Sequence, residues 1–513
     1  MKLSNLLLCI ALVSACTVLP EAPPREGEFA QPATSTGALS TAAMNFSPPL
    51  TEEESAFHLL PAGRDALAWR IALIDNAVNS LDAQYYVWHD DLVGTLLLEH
   101  ILSAADRGVK VRMLVDDMDL ATAGTFSNSD KALAALDQHP NLQLRVFNPG
   151  TYRSGTVGAL ETLGSRFSSY NRRMHNKLLV ADGQFAIVGG RNVGDEYFGL
   201  NPEHNFIDVD ALTTGAIVPA ISEGFAVFWN SDLAYPAHAL ADADQGGYEA
   251  IREENRTYLE ERSDRLANIA NVSEPIPNML SDIAAQMHRG TAVFLEKQPL
   301  EDAEDTHQLY NRLNALAGSV ESEVLTSTPY LIPVEGFLNF TRTDSESGVK
   351  TRFLTNSLAS SNQHTVHAHY KKYRQEILEA GAQLFEMHHQ PAGTLNRYFD
   401  TPPAKAESVT LHMKATVIDN QRCFIGTLNL DPRSIEINTE DVMYIQSSAL
   451  CTELGDYIIE IMQLDNAWQV SQGEDGKLLW TSHEGTTTQQ PVQKFSDRVW
   501  DFLYGLFPVE KQL

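Results

Sequence analysis

The sequence predicts an α/β protein made of two similar halves. Helix-like and strand-like segments alternate from about Thr51 onward, and their order returns about 240 residues later. A third observation is a motif, MHNKLLVADGQFAIVGGRN from Met174 to Asn192, that recurs as LHMKATVIDNQRCFIGTLN from Leu411 to Asn429.

In the first half, AWRIALIDNAVNS has helical spacing of its apolar residues and LDAQYYVW is rich in β-formers. GTLLLEHILSAADRG reads as an amphipathic helix ended by Gly108, and VKVRMLVDD as a short buried strand. The second half repeats the order with QLYNRLNALAGSV as helix, ESEVLTSTPYLI as strand, VEGFLNFTRTDSESG as helix and VKTRFLTNS as strand. A further helix, HYKKYRQEILEAG, and strand, AQLFEMH, precede the second motif. The shared helix-Gly-Val-Lys-strand signature at Gly108 and Gly348 has far too long a period for a solenoid, so it marks duplicated domains.

Composition sets the outer boundaries. Residues 1–15 read as a cleavable export signal: a lysine, an apolar run from Leu6 to Val13 too short to span a bilayer, then small residues. Residues 16–50, rich in Pro, Ala, Ser and Thr with little to bury, read as a tether. Residues 51–240 and 301–513 form the two α/β domains, and the acidic, helix-prone stretch 241–300 is expected to be a helical connection.

The net charge of -30, from 67 acidic against 37 basic residues, repels nucleic-acid backbones on average, so no nucleic-acid partner is expected. Of four cysteines, Cys9 falls in the signal and Cys16 ends the segment VSAC. Cys423 and Cys451 are left in the body, as a disulfide that export permits or as buried thiols.

The chemistry lies in the repeated motif. If each copy is a strand, the His and Lys two residues apart share a face: His175 with Lys177, and His412 with Lys414. Bringing both copies together across a pseudo-two-fold axis assembles a set complete for phosphodiester transfer. One neutral imidazole attacks phosphorus, the other protonates the leaving alkoxide, and two ammonium groups neutralise the non-bridging oxygens. Asn192 and Asn429 add amide donors, or simply form the turn after the glycines. No metal or other cofactor is called for. Asp182 and Asp419, five residues beyond the lysines, fall on the opposite strand face and are read as structural supports.

The paired HxKxxxxD motifs resemble the signature of the phospholipase D superfamily. NRRMHNK, GGRNVGDEYF, LTNSLASSNQHTVHAHYKKYR and LNLDPRSIEINTE are similar to bacterial cardiolipin synthases of the C type. The resemblance implies two α/β/α domains with mixed sheets and an active site at their interface. It implies that His175 forms a phosphohistidine and that His412 is the acid and then the base, although a symmetric motif equally allows the reverse. Lys177, Lys414, Asn192 and Asn429 would bind phosphate. Asp208 and Glu440, on following strands, would orient the imidazoles, and Tyr370, Lys372 and Arg374 would meet a lipid headgroup.

The implied activity is phosphatidyl transfer between glycerophospholipids, giving cardiolipin with phosphatidylglycerol as acceptor. Phospholipase D hydrolysis, or a phosphodiesterase or nuclease reaction, is the alternative. A non-catalytic lipid-binding lipoprotein is a third reading, against which both motifs are intact. VSAC resembles a lipobox, which implies lipidation of Cys16 and a periplasm-facing anchor, with Thr17 directing it to the outer membrane. Partners are then phospholipids and the membrane, with no obligate protein partner deducible. The apolar C-terminal residues Val499, Trp500, Phe502, Leu503, Leu506 and Phe507 either face a bilayer or pack onto the domain.

Overall fold

The computed structural model of the protein describes residues 27–117, 130–150, 171–243, 246–266, 276–299, 306–334, 336–507 and 509–513. The export signal and Cys16 lie outside the described residues.

Eighteen strands join in one continuous sheet. The first half contributes β1 (Ser55–Leu60), β2 (Ser80–Tyr85), β3 (Lys110–Asp116), β4 (Leu142–Phe147), β5 (Leu178–Ala181), β6 (Phe185–Gly189), β8 (Asp210–Gly215) and β9 (Ala234–Pro236), with β7 (His204–Ile207) set apart from it. The second half contributes β10 (His288–Glu296), β11 (Glu323–Ser327), β12 (Lys350–Asn356), β13 (Gln383–Met387), β15 (Ala415–Ile418), β16 (Arg422–Gly426), β17 (Asp441–Gln446), β18 (Ala467–Gln472), β19 (Leu478–Ser482) and β20 (Gly485–Thr487), with β14 (Ser408–Leu411) set apart.

The pairings are β9-β4-β3-β2-β5-β6-β8-β1 on one side and β10-β17-β16-β15-β11-β12-β13-β18-β19-β20 on the other. Each half thus holds a parallel trio, β2-β3-β4 or β11-β12-β13, flanked by antiparallel strands. The antiparallel pair β1–β10, with Ala56 opposite Arg289, joins the halves at the centre of this near-palindrome. Parallel neighbours need a crossover, which explains the helices Leu92–Asp106 and Phe337–Glu346.

One apolar core spans both halves on one face of the sheet, packing Phe57, Met174, Ile207 and Trp229 in the same cluster as Leu354, Met413, Leu454 and Ile458. A disulfide between Cys423 and Cys451 ties β16 to the helix Ser448–Ile461 within this core, deciding between the two states open to those cysteines.

Two boundary expectations need correction. The tether is not free throughout: residues 37–44 form a helix whose Leu39 and Ala42 enter the first half's core, and the Thr34 N–H bonds to the Asp182 carbonyl at 2.9 Å. The connection 241–300 is helical at Gly247–Glu260 and Ile276–Gln286 but ends in β10. That strand is needed because β1 and β17 would otherwise each leave a sheet edge open at the junction.

Candidate active site

Each motif reaches the site in the lead-in to a strand. Met174 makes an isolated parallel bridge to Thr439, residues 175–177 are irregular, and β5 starts at Leu178. In the second half β14 pairs in parallel with β7 as far as Leu411 opposite Ile207, residues 412–414 are irregular, and β15 starts at Ala415. Strand geometry therefore begins one residue after each lysine, not at the histidine as expected. His and Lys are still held together, because each ammonium donates to its own histidine's carbonyl, at 2.6 Å for Lys177 and 2.5 Å for Lys414.

Both lead-ins cross to the other half, and the crossing delivers the carboxylates. The His175 N–H bonds to the Thr439 carbonyl at 3.0 Å, which sets its ring Nδ1 2.7 Å from Glu440 Oε2. The His412 N–H bonds to the Ile207 carbonyl at 2.8 Å, and its Nδ1 lies 2.6 Å from Asp208 Oδ2. The registers Gly189 opposite Asp210 and Gly426 opposite Val442 put Asp208 and Glu440 at equivalent places, so each half supplies the acid for the other half's histidine. With Nδ1 committed to a carboxylate, Nε2 is the nitrogen for a reacting atom, and at His412 the Lys414 ammonium lies 3.1 Å from it.

The site is electrostatically loaded, since both histidines, both lysines and both carboxylates are buried. Burial, reinforced by Lys177 and Lys414, holds His175 well below the ordinary imidazole range, and burial with Lys414 takes His412 down to about 3. His175 is therefore neutral at pH 7, as a nucleophile must be, whereas His412 takes up the proton an acid needs once a bound phosphate anion offsets the charge of the lysines that lowers it. Each histidine feels both lysines, which makes this one site and not two. Burial also lowers Lys177 to about 8 and Lys414 to about 7 against the pull of the surrounding carboxylates. Burial pushes Asp208 up, but the His412 hydrogen bond and the charges of His412, Lys414 and Arg191 outweigh it and leave Asp208 at about 2. For Glu440 burial wins over Lys177 and raises it to about 7.

The asparagines differ. Asn192 is spent: its carbonyl accepts the Val87 N–H at 3.1 Å and its amide donates to the Tyr197 hydroxyl at 2.9 Å. Asn429 is buried with no hydrogen-bond partner on its amide oxygen, the acceptor that Asn192 gives to Val87. Asp182 and Asp419 sit outside the chemistry at positive φ. Asp182 accepts the Val78, Asn79 and Ser80 N–H groups at the start of β2, and Asp419 accepts those of Glu321, Ser322 and Glu323 at the start of β11.

The headgroup assignment of Tyr370 and Arg374 is corrected. Both are buried and bound to Glu386 Oε1, by the Tyr370 hydroxyl at 2.8 Å and Arg374 Nε at 2.5 Å, while Trp480 donates to the other oxygen at 2.9 Å. A buried carboxylate needs such partners, so these two brace the second half. Lys372 is half-exposed and lies 3.6 Å from Glu510, again a local pair.

Three residues escaped the sequence reading. Tyr86 packs edge-on against His175 with ring centres 5.1 Å apart, Tyr197 does the same against His412 at 5.3 Å, and Asp441 accepts the Lys177 N–H at 3.2 Å. The available signal was position: Tyr86 lies within a β-rich run and Tyr197 follows the first motif closely, but aromatics there also fit an ordinary core. Away from the two histidines, His89, Asp91 and Glu196 place ligand-type atoms within 4.8 Å of one another. Asp91 already accepts the Gly94 N–H at 3.0 Å and the Asp195 N–H at 2.6 Å, so the cluster braces the loop after Asn192.

The family described as "Cardiolipin synthase, PLD-like domain" matches residues 71–229 and 313–462, one segment in each half. Cardiolipin synthase C of Escherichia coli is 33% identical over 457 residues, covering 87% of this chain and 93% of that protein. The major cardiolipin synthase of Bacillus subtilis is 24% identical, covering 78% of this chain and 68% of that protein. A crystal structure of phosphatidylserine synthase from Haemophilus influenzae superposes with a TM-score of 0.53 at 14% identity, over 79% of this chain and 86% of that one, which is a likeness of fold.

Proposed function

Because the chain belongs to the phospholipase D-like family of cardiolipin synthases, we propose that it transfers a phosphatidyl group from one glycerophospholipid to phosphatidylglycerol and so makes cardiolipin. The observation that carries this reading is the reciprocal wiring of the site, in which each half's carboxylate orients the other half's histidine beside two lysines.

With the phosphate anion bound, His412 is the imidazolium and carries a proton on Nε2; His175 Nε2 attacks phosphorus, and the P–O bond to the headgroup alcohol breaks as His412 passes that proton to the leaving oxygen and becomes neutral. The acceptor hydroxyl then loses its proton to His412 and attacks phosphorus, and the P–N bond breaks to restore His175. Glu440 and Asp208 stabilise the charge that develops on each ring, as a carboxylate does for any catalytic imidazole. Lys177, Lys414 and the amide of Asn429 bind the non-bridging oxygens. Exclusion of water from this buried site favours a lipid hydroxyl as acceptor over hydrolysis.

The body works at a membrane in this proposal, anchored through lipidated Cys16 on the periplasmic side, at the outer membrane. The C-terminal helix Phe495–Tyr504 supports contact with lipid. It turns Asp501 inward to His367 at 2.7 Å while Trp500 and Phe502 stay exposed. No described helix is long and apolar enough to cross a membrane.

Purified protein given labelled phosphatidylglycerol in chelator should yield cardiolipin and free glycerol. Phosphatidic acid as the main product would instead mean hydrolysis. Loss of activity in chelator would refute the metal-free route, and equal turnover of plasmid DNA would refute the lipid assignment.

A further inference from the structure

The two halves cover the same sheet face unequally. In the first half the face carrying Leu179 and Ala181 is closed by the helices Gly63–Asn76 and Leu92–Asp106, whose Leu67, Leu73, Leu98 and Ile101 join one uninterrupted core. In the second half the corresponding helices, Gln308–Ala317 and Phe337–Glu346, bury just Leu309, Leu313 and Thr341. The apolar residues there divide into two small clusters, one around Phe353 and Leu384 and the other around Leu309 and Val442.

A cavity of ≈ 270 Å3 lies between those clusters, walled by Phe337 and Phe353 on one side and by Leu313, Phe424 and Val442 on the other. Its lining includes Lys414, together with Leu428 and Leu430 on either side of Asn429. Phe340, also in the lining, is 62% exposed and places another part of the cavity at the surface. Apolar space left unfilled by side chains costs stability, and a pocket with apolar walls and a few polar groups at one place is the form of a ligand site. Lys414, which belongs to the proposed phosphate clamp, is the one lysine in the lining, while Asn314 and Asp344 are polar groups elsewhere on the wall.

We propose that this cavity holds one acyl chain of the phospholipid whose phosphate is being transferred. The inference rests on the phosphatidyltransferase reading and extends it to the substrate's tail. A phosphate bound by Lys414 and Asn429 carries its glycerol and chains with it, and among the described residues of the first half the matching sheet face is covered by packed helices. The phosphatidyl donor is therefore received on the second half's side, and chain length contributes to substrate choice.

Leu313→Trp and Thr341→Trp would fill the cavity without touching the phosphate-binding residues. Each should lower turnover of long-chain phosphatidylglycerol at least about ten-fold, since several buried methylenes are lost, and leave the chain-free diester bis(p-nitrophenyl) phosphate unchanged. Equal effects on long-chain, short-chain and chain-free substrates would overturn the proposal. In the unmutated protein, phosphatidylglycerol with a photoreactive group on its acyl chain should label Phe337, Phe340 or Phe424. Label confined to the C-terminal helix would place the chain elsewhere and overturn it. If no phosphodiester turns over but the label falls in the cavity, the transferase reading fails and the chain site stands. If turnover is normal and indifferent to cavity filling, the chain site fails and the transferase stands.

Discussion

The halves share geometry but not charge or packing. Each places a histidine on a backbone bond to the other half and gives its Nδ1 to a carboxylate, yet Asp208 sits at about 2 and Glu440 at about 7. The difference follows from partners: His412, Lys414 and Arg191 together hold Asp208 ionised, whereas burial outweighs Lys177 at Glu440. Asn192 is tied to Val87 and Tyr197 while Asn429 keeps a bare amide oxygen, and one half has a closed core where the other has a cavity. Duplication therefore produced a symmetric frame whose two members are not equivalent. The ionised Asp208 is the better support for an imidazolium, which fits His412 as the proton donor and His175 as the nucleophile.

The largest effect is expected from the histidines. His175→Ala and His412→Ala should each reduce lipid turnover by about a thousand-fold or more. With a p-nitrophenyl leaving group, which needs little proton donation, His412→Ala should still trap phosphoenzyme and release a burst of nitrophenol, whereas His175→Ala should not. The opposite pattern would exchange the two roles.

Removing charge from the orienting acids comes next. Asp208→Asn should cost about a hundred-fold or more in kcat, because an amide can select the wrong tautomer and cannot stabilise an imidazolium. Glu440→Gln should cost less, since Glu440 is already part-protonated at neutral pH. Equal losses would remove the electrostatic distinction between the halves.

A smaller, graded effect is expected with pH. Lys414 and Lys177 are lowered to about 7 and about 8, so in the free enzyme they lose their charge as pH rises, and kcat/KM should fall through that range. A bound phosphate anion favours the ammonium forms, so the kcat limb should lie at higher pH. Lys414→Arg, whose guanidinium stays charged, should abolish the Lys414 part of that limb. A kcat/KM profile flat from pH 6 to 9 would contradict the lowered lysines.

The smallest effect tests the turn after each motif. A Cβ on Gly190 would lie 2.3 Å from Asp208 Oδ1, so Gly190→Ala should cost about 1–3 kcal/mol in denaturant unfolding and displace the carboxylate from His412. The equivalent residue in the second motif is Thr427, whose Oγ1 accepts the Asp441 N–H at 3.0 Å and donates to the Asp441 carbonyl at 3.3 Å, so Thr427→Ala should lose both hydrogen bonds, about 1–2 kcal/mol.

Much of the site was readable because its units are short. His175 and Lys177, or His412 and Lys414, lie two residues apart, and the copy at Leu411–Asn429 marks them as a set. Asp182 and Asp419 do lie outside the chemistry, but in the turns after β5 and β15 at positive φ and not on the opposite face of a strand shared with the lysines. Tyr370 and Arg374 were misplaced because a basic, aromatic helix reads the same whether it meets solvent, a headgroup or a buried acid. Their partner Glu386 is distant enough in sequence that no spacing rule links them.

The sequence by itself determined the two-fold plan, the alternation of helices and strands, and the identity of both histidine–lysine pairs, because these depend on periodicity and repetition along the chain. Tertiary structure decided that one sheet runs through both halves, that each histidine takes its acid from the opposite half, and that one core closed while the other stayed open. Those outcomes depend on contacts between residues more than 200 positions apart, such as His175 with Glu440 and His412 with Asp208. Desolvation, which lowers both histidines and both lysines and raises Glu440, exists only once those contacts have excluded water.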